Sequence, residues 1–253
     1  MFFCVDIGNT NTVVGIAEKG LITARWRIAT DRDATFDDLA AKFHPLMTLA
    51  KVPREAVVKV IVSSVVPVWD HSWERFAREY FGKEALFVGA ETPCGITLAV
   101  ENPREVGADR IVNAVAAISR HPEGALVVDS GTAITIDVVA PDRSYRGGAI
   151  MPGMLVSLEA LAARTAKLPR VHLDRPSHAL GRTTAAGIQS GIYYGFAGMI
   201  DRVIEEILPE LDFKPRIVAT GGLAGGLAAV SRHIEEYDRD LTLRGLDIIA
   251  SLN

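Results

Sequence analysis

Two short turns of like composition divide this sequence. Near its start an apolar run ends in Asp6-Ile7-Gly8-Asn9-Thr10, and near its middle another ends in Asp129-Ser130-Gly131-Thr132. The two aspartates are separated by about half of the 253 residues, which predicts an internally duplicated fold with one turn in each half. A strand that ends in Asp-x-Gly and folds back through Thr, Asn or Ser exposes backbone N–H groups and short hydroxyls. The glycine lets a ligand approach the backbone closely. Two such turns facing one another would hold a nucleotide's phosphate tail from both sides.

A chain of this length builds one large domain or two ordinary ones. The repeat favours two, residues 1–118 and 119–253. With 49% apolar residues, 23% charged residues and a net charge of −4, the composition is that of a globular protein. It has neither a basic field for nucleic acid nor an acidic tail. No apolar run approaches the roughly 20 residues that span a bilayer, and the opening residues lack the basic and apolar regions of a secretion signal. A cytoplasmic protein with no membrane or nucleic-acid partner is expected. Cys4 and Cys94 are expected to be reduced, with Cys4 as core filler. The six histidines show no metal-ligand spacing, and G-x-S-x-G, C-x-x-C and Walker A signatures are absent. Zinc-hydrolase, serine-hydrolase and thiol-redox chemistry all lose support.

Periodicity gives an α/β pattern in each half. Strands are predicted at Phe2–Val5, Thr12–Ala17 and Leu21–Ile28, then a helix capped by Thr35 and running to about Ala50. A buried strand at Val57–Ser63 precedes a helix that carries Trp69, Trp73, Phe76, Ala77 and Tyr80 on one face, an arrangement better suited to a core than to base stacking. A short strand at Leu86–Val88 and a helix from Gly107 to about Ser119 follow. The pattern then restarts at Ala125–Val128, with strands at Thr135–Val139 and Tyr145–Ile150. Helices are expected at Met154–Arg164, Thr184–Leu208 and Leu243–Ile249, and a strand at Arg216–Thr220. Gly187, Gly191 and Gly195, at four-residue steps, suggest that another backbone packs closely on the long helix, within the chain or between subunits.

Several groups carry chemistry. Asp6, Ile7, Gly8, Asn9, Thr10, Asn11 and Thr12 would make a poor strand core, and a polar hairpin explains part of this run; its recurrence at Asp129 favours function. Asp6 suits Mg²⁺, a hard ion that takes carboxylate, water and phosphate oxygens. Asp129, with Thr132 as hydroxyl and amide donor, would hold phosphates from the other half, or a monovalent cation that offsets their charge. Gly221 and Gly222 follow a strand without the G-x-G-x-x-G register, leaving backbone open to an adenosine. Asp109 and Arg110 open a helix beside Gly107 and Ala108. Helix-dipole complementarity accounts for an acid there, and a kinase also needs a carboxylate near its accepting hydroxyl. Thr183 and Thr184 open the glycine-striped helix, one as an N-cap and both near a receptor for a carboxylate.

Together, Asp6–Thr12, Asn102–Ala114, Asp129–Thr132, Gly147–Gly153, Arg164–Pro169 and Gly221–Ala224 closely resemble the type III pantothenate kinase family, collinearly and over nearly the whole chain. The resemblance implies two ribonuclease-H-like (actin-like ATPase) domains with mixed sheets, and ATP-dependent phosphorylation of pantothenate at the first step of coenzyme A synthesis. It implies ATP contacts from Asp6–Thr12 and Thr132, Asp109 as proton acceptor, and Asp129 as ligand to potassium or ammonium alongside Mg²⁺. Val100, Gly107, Ala108, Asp109, Arg110 and Thr184 would line the pantothenate site of a homodimer. The chain departs from the family pattern at Val100, where many members carry an aromatic residue, and at Ser130 and Ile134 in a turn that often reads Asp-Phe-Gly-Thr-Ala-Thr. A superfamily phosphohydrolase and an accessory regulator of transcription are the competing expectations. The missing long glycine-serine turn opposes the first. The intact aspartates and the lack of a basic DNA-reading element oppose the second.

Overall fold

Strand alternation explains the first sheet. In β1 (Phe2–Ile7), Phe3, Val5 and Ile7 point to one face while Cys4 and Asp6 point to the other. A computed structural model describes residues 1–253, which fall into two compact units, Met1–Arg120 with Asp240–Asn253, and His121–Arg239. In the first unit β1, β2 (Asn11–Glu18) and β3 (Leu21–Ala29) form an antiparallel meander. β4 (Lys59–Ser64) and β5 (Ala85–Phe87) extend it in parallel, giving the order β3-β2-β1-β4-β5.

One face of this sheet is covered by α1 (Phe36–Leu49) and α2 (Pro67–Phe81). α1 begins where sequence predicts, because the Thr35 and Asp38 side chains form a reciprocal capping box. The aromatic row of α2 is core. Trp69, Trp73 and Phe76 are fully buried, and Trp73 lies 5.6 Å from Phe43 between ring centres. The other face carries α3 (Ala108–Arg120) and α7 (Leu241–Leu252), packed through Cys4, Ile61, Val112, Val115, Leu246 and Ile249. The short strand β6 (Thr97–Leu98) lies in the segment leading to α3.

The second unit repeats the arrangement. β7 (Ala125–Ser130), β8 (Ala133–Val139) and β9 (Ser144–Pro152) form a meander, and β10 (Arg216–Thr220) and β11 (Glu236–Tyr237) extend it in parallel. Its order, β9-β8-β7-β10-β11, copies that of the first unit strand for strand. α4 (Met154–Arg164), α5 (Thr184–Ile207) and the short α6 (Ala224–Ala228) contribute to its apolar cluster. The fold is α/β, with two ribonuclease-H-like domains.

Two features differ from the sequence reading. The division at 118/119 assigns the whole C-terminal half to one domain, yet α7 packs in the first unit. Leu243 seats against Gly15, Gly245 against the Val112 carbonyl, Thr242 Oγ1 bonds Asn113 Oδ1 at 2.8 Å, and Lys59 Nζ reaches the Ala250 carbonyl at 2.7 Å. The apolar face made by Cys4 and Ile61 needs more cover than α3 alone supplies. Within the chain, the backbone of Gly181 packs on Gly187 at the start of α5, where a Cβ on Gly181 would lie 2.3 Å from the Gly187 amide nitrogen, whereas a Cβ built on Gly191 or Gly195 further along the stripe meets nothing within 4 Å.

Behind the sheet, Asp247 of α7 faces the Cys4 side. Burial raises the Asp247 carboxyl above its ordinary range, and the Cys4 thiol is raised chiefly by burial, with the Asp247 charge adding to it. A carboxyl with a raised folded-state value is protonated more readily in the fold. Its charge therefore costs stability as pH rises from the unfolded value near 3.9 through the folded one. Asp247→Asn is expected to raise Tm at pH 7 by about 1–3 °C, with the gain disappearing towards pH 3. Thermal melts at both pH values check this, and a gain of equal size at both would rule out the charge as its cause.

Candidate active site

The first turn closes at the carboxyl end of β1. The Gly8 amide donates to the Asn11 carbonyl at 3.1 Å, and a Cβ on Gly8 would sit 2.9 Å from that oxygen. The end of β3 braces the turn from behind. The Thr30 amide donates to the Thr10 carbonyl at 3.0 Å, and Thr30 Oγ1 donates to the Gly8 carbonyl at 2.6 Å. Arg32 Nη2 donates to Asn9 Oδ1 at 3.2 Å. This leaves Asn9 and Thr10 exposed at the tip. Ile7 and Thr12 lie beneath it. Ile7 is in the core, and the buried Thr12 hydroxyl is 3.0 Å from that of Thr30. Their side chains support the turn and do not form its surface.

Asp6 is half-buried on the α3 side of the sheet, sharing that face with Cys4. Ser63 stands beside it in register across the parallel β1–β4 ladder. Just beyond, the Val65 amide donates to the Ile7 carbonyl at 3.0 Å, tying the end of β4 to the turn. Ser64 Oγ donates to Asp70 Oδ1 at 2.5 Å and accepts from the Val66 amide at 3.2 Å. Burial raises the Asp70 carboxyl and the Ser64 bond partly offsets it.

α3 brings the next carboxylate to this end of the sheet. The Arg110 amide donates to Asp109 Oδ1 at 2.8 Å, so one carboxylate oxygen is held in the first helical turn. Gly107 makes room for that oxygen, because a Cβ there would lie 2.5 Å from Asp109 Oδ1 and displace the carboxylate, with Val65 Cγ1 3.8 Å away. Ala108 is buried, while Asp109 and Arg110 are partly exposed. The carboxyl ends of parallel strands in an open sheet are where such folds bind ligands, and the Asp6 turn, Ser63–Val65 and Gly107–Arg110 meet at that end. Val100 is half-buried between β6 and the 3₁₀ turn Pro103–Glu105. Two surface concavities of about 490 and 330 Å³ run along residues 86–93 and 102–105 and include neither Asp6 nor Asp109.

The second unit builds the same corner. Asp129 lies in register with Thr220 of β10, as Asp6 does with Ser63. The Gly131 amide donates to the Ala133 carbonyl at 2.9 Å, and the Gly153 amide to the Thr132 carbonyl at 2.9 Å. Gly131 and Thr132 are exposed. Gly221 has φ +96°, and a Cβ there would sit 2.5 Å from the Ser130 carbonyl and 2.6 Å from Asp129 Oδ1. The turn and the Gly221-Gly222 motif are therefore neighbours, with Gly222 exposed. Ser130 and Ile134, the two departures in this turn, are both buried, so they leave its exposed face as Gly131 and Thr132. Thr183 caps α5 by accepting from the Ala186 amide at 3.1 Å, leaving Thr184 exposed as the first residue of α5 in this unit.

Sequence reasoning missed Thr30, Ser63, Ser64 and Asp70. The one available signal was the Ser63-Ser64 pair closing an otherwise apolar strand. No group of three or more His, Cys, Asp or Glu side chains is gathered as a protein-only metal cage would need. No helix is long and apolar enough to cross a membrane.

Comparison with known proteins gives a consistent result. The sequence profile of the type III pantothenate kinase family matches residues 2–206. A type III pantothenate kinase of Anaeromyxobacter sp. (strain Fw109-5) is 45% identical over 253 residues, covering 100% of both chains. One of Myxococcus xanthus (strain DK1622) is 44% identical, covering 100% of this chain and 99% of its own. Among solved structures, the inorganic polyphosphate/ATP-glucomannokinase of Arthrobacter sp. strain KM aligns with a TM-score of 0.50 at 17% identity. It covers 100% of this chain and 99% of that one, a likeness of fold alone.

Proposed function

This chain belongs to the type III pantothenate kinase family, and from that premise we propose how its residues phosphorylate pantothenate with ATP. The observation that carries the reading is the meeting of the Asp6 turn and Asp109 at one end of one sheet face. In the first unit, exposed amides and hydroxyls of Asn9 and Thr10 bind phosphate oxygens; in the second, those of Gly131 and Thr132 do the same and the backbone at Gly221 and Gly222 receives the adenosine. In the first unit, Gly107 and Ala108 leave room for pantothenate, Arg110 takes a polar group and Val100 forms part of the wall; in the second, the exposed start of α5 at Thr184 suits a carboxylate. Asp109 orients the accepting hydroxyl and takes its proton as the oxygen attacks the γ-phosphorus in line.

A divalent cation fits at Asp6. Mg²⁺ binds through one or two carboxylates, waters and substrate phosphates rather than a protein cage, and a half-buried carboxylate beside a buried hydroxyl is such a setting. When bound it offsets phosphate charge. Asp129, with Thr220 beside it and the Ser130 carbonyl close by, offers oxygen ligands suited to potassium or ammonium. The enzyme works in the cytoplasm as a homodimer. Support for the dimer is the open face of α5 at Gly191 and Gly195, which another helix could approach closely.

A coupled ADP-release assay tests the reading. ADP formation is expected only with pantothenate, and more with potassium or ammonium than with sodium; Asp129→Asn should flatten that cation response. ADP release independent of pantothenate would make the chain a phosphohydrolase instead.

A further inference from the structure

Of two adjacent serines at the end of β4, only one has a hydrogen-bonding partner. Ser64 is engaged twice, donating to Asp70 and accepting from the Val66 amide. Ser63 is 0% exposed, yet its Oγ has no hydrogen-bond partner in the protein. Buried hydroxyls are normally satisfied, because an unmade bond leaves the desolvation of the group uncompensated. A serine kept at such a place needs a reason.

Its direction supplies one. Along β4, Val60 and Val62 point into the α1–α2 core while Ile61 points to the α3–α7 side. Alternation puts Ser63 on the side of Ile61. On β1 the same argument puts Asp6 on the side of Cys4, and Asp6 and Ser63 are paired in register. The unsatisfied hydroxyl therefore stands next to the Asp6 carboxylate, on the face from which α3 presents Asp109. The second unit pairs Asp129 with Thr220 in the same register, and Thr220 is 2% exposed. In both units a carboxylate at the end of the first strand has a buried hydroxyl residue beside it on the neighbouring parallel strand.

We propose that Ser63 is a positioning residue for the divalent cation at Asp6, its hydroxyl bonding a water of that cation or the carboxylate once the ion is in place. The inference rests on the assignment of the cation to Asp6. Mg²⁺ keeps several of its waters when it binds, and such waters need protein acceptors and donors around them. Groups that orient ligands without touching the metal typically change its affinity by 10–100-fold.

The test uses the full-length protein with a non-hydrolysable ATP analogue and Mn²⁺ as an electron paramagnetic resonance probe. Ser63→Ala is expected to raise the Mn²⁺ Kd about 10-fold. In the ligand-free protein it should leave Tm unchanged or higher, because an unsatisfied buried hydroxyl is removed. A purely structural serine would do the opposite, lowering Tm and leaving the Mn²⁺ Kd alone, and that result overturns the proposal. Ser63→Cys, of similar volume and a weaker donor, repeats the measurement if the alanine variant folds poorly, with a rise in Kd again expected. Asp6→Asn separates the two levels of inference. If it weakens Mn²⁺ binding while both Ser63 variants bind as wild type, only the role of Ser63 is lost. If it binds as wild type, the assignment of the cation to Asp6 fails, and the role of Ser63 with it.

Discussion

Asp109→Asn is expected to lower kcat by about 10²- to 10⁴-fold, the range that positioned proton transfer supplies, and to leave the ATP Kd within about twofold. The asymmetry follows from what the substitution keeps. The Arg110 amide donates to Asp109 Oδ1 at 2.8 Å, and an asparagine retains a carbonyl oxygen able to accept that bond. The side chain fills the same space beside Gly107, so the start of α3 does not rearrange. Lost are the negative charge and the capacity to take a proton from the accepting hydroxyl. The groups proposed to hold ATP lie elsewhere, on the turns at Asn9–Thr10 and Gly131–Thr132. Steady-state kinetics with a fluorescent nucleotide titration measure both quantities. A variant with kcat within twofold of wild type would remove Asp109 from the role of base.

Gly221→Val is expected to destabilise the protein by about 3–4 kcal/mol, lowering Tm by about 10 °C, and to weaken ATP binding at least about tenfold. Two costs combine. At φ +96° the backbone is in a region that a β-branched residue scarcely enters. The new Cβ would lie 2.5 Å from the Ser130 carbonyl and 2.6 Å from Asp129 Oδ1. The backbone contact is the one that cannot swing aside. The first is backbone at the last residue of β7, and the second is the carboxylate assigned to the cation. Relief requires moving β10 away from β7 at the Thr220–Asp129 pair, which disturbs the phosphate turn directly. Gly89→Ala is the control, because a Cβ there meets nothing within 4 Å and the backbone is not left-handed. Differential scanning calorimetry and nucleotide titration of both variants check the prediction. Gly221→Val with wild-type Tm and ATP affinity would mean that the backbone gives way at no cost.

The two aspartate turns were legible because everything that defines them is local: a strand, a small-residue turn and a returning strand within a dozen residues. The start of α3, the Thr35 cap and the aromatic face of α2 were legible for the same reason. The facing of side chains was less so. Ile7 and Thr12 belong to the turn by position, yet they support it from below, and only the three-dimensional bracing by Thr30 reveals this. Ser63 was missed because its meaning comes from the register between β1 and β4, whose pairing joins residues far apart in sequence. The amphipathic pattern near the C-terminus predicts a helix with a buried face. It carries no information about which of two similar sheets that face will cover, and α7 covers the first.

That return of α7 sets an order of events during synthesis. The unit whose strands leave the ribosome first is completed after the other, because Gly245, Leu246 and Ile249, which close over the Val112 side of α3, follow the whole of the second unit in sequence. The second unit, contiguous from His121 to Arg239, has all its strands available before then and can fold ahead of it. The helix that carries Asp109 thus acquires its full apolar cover only after the second unit has been synthesised, so a nascent chain cannot complete the acceptor corner before that unit exists.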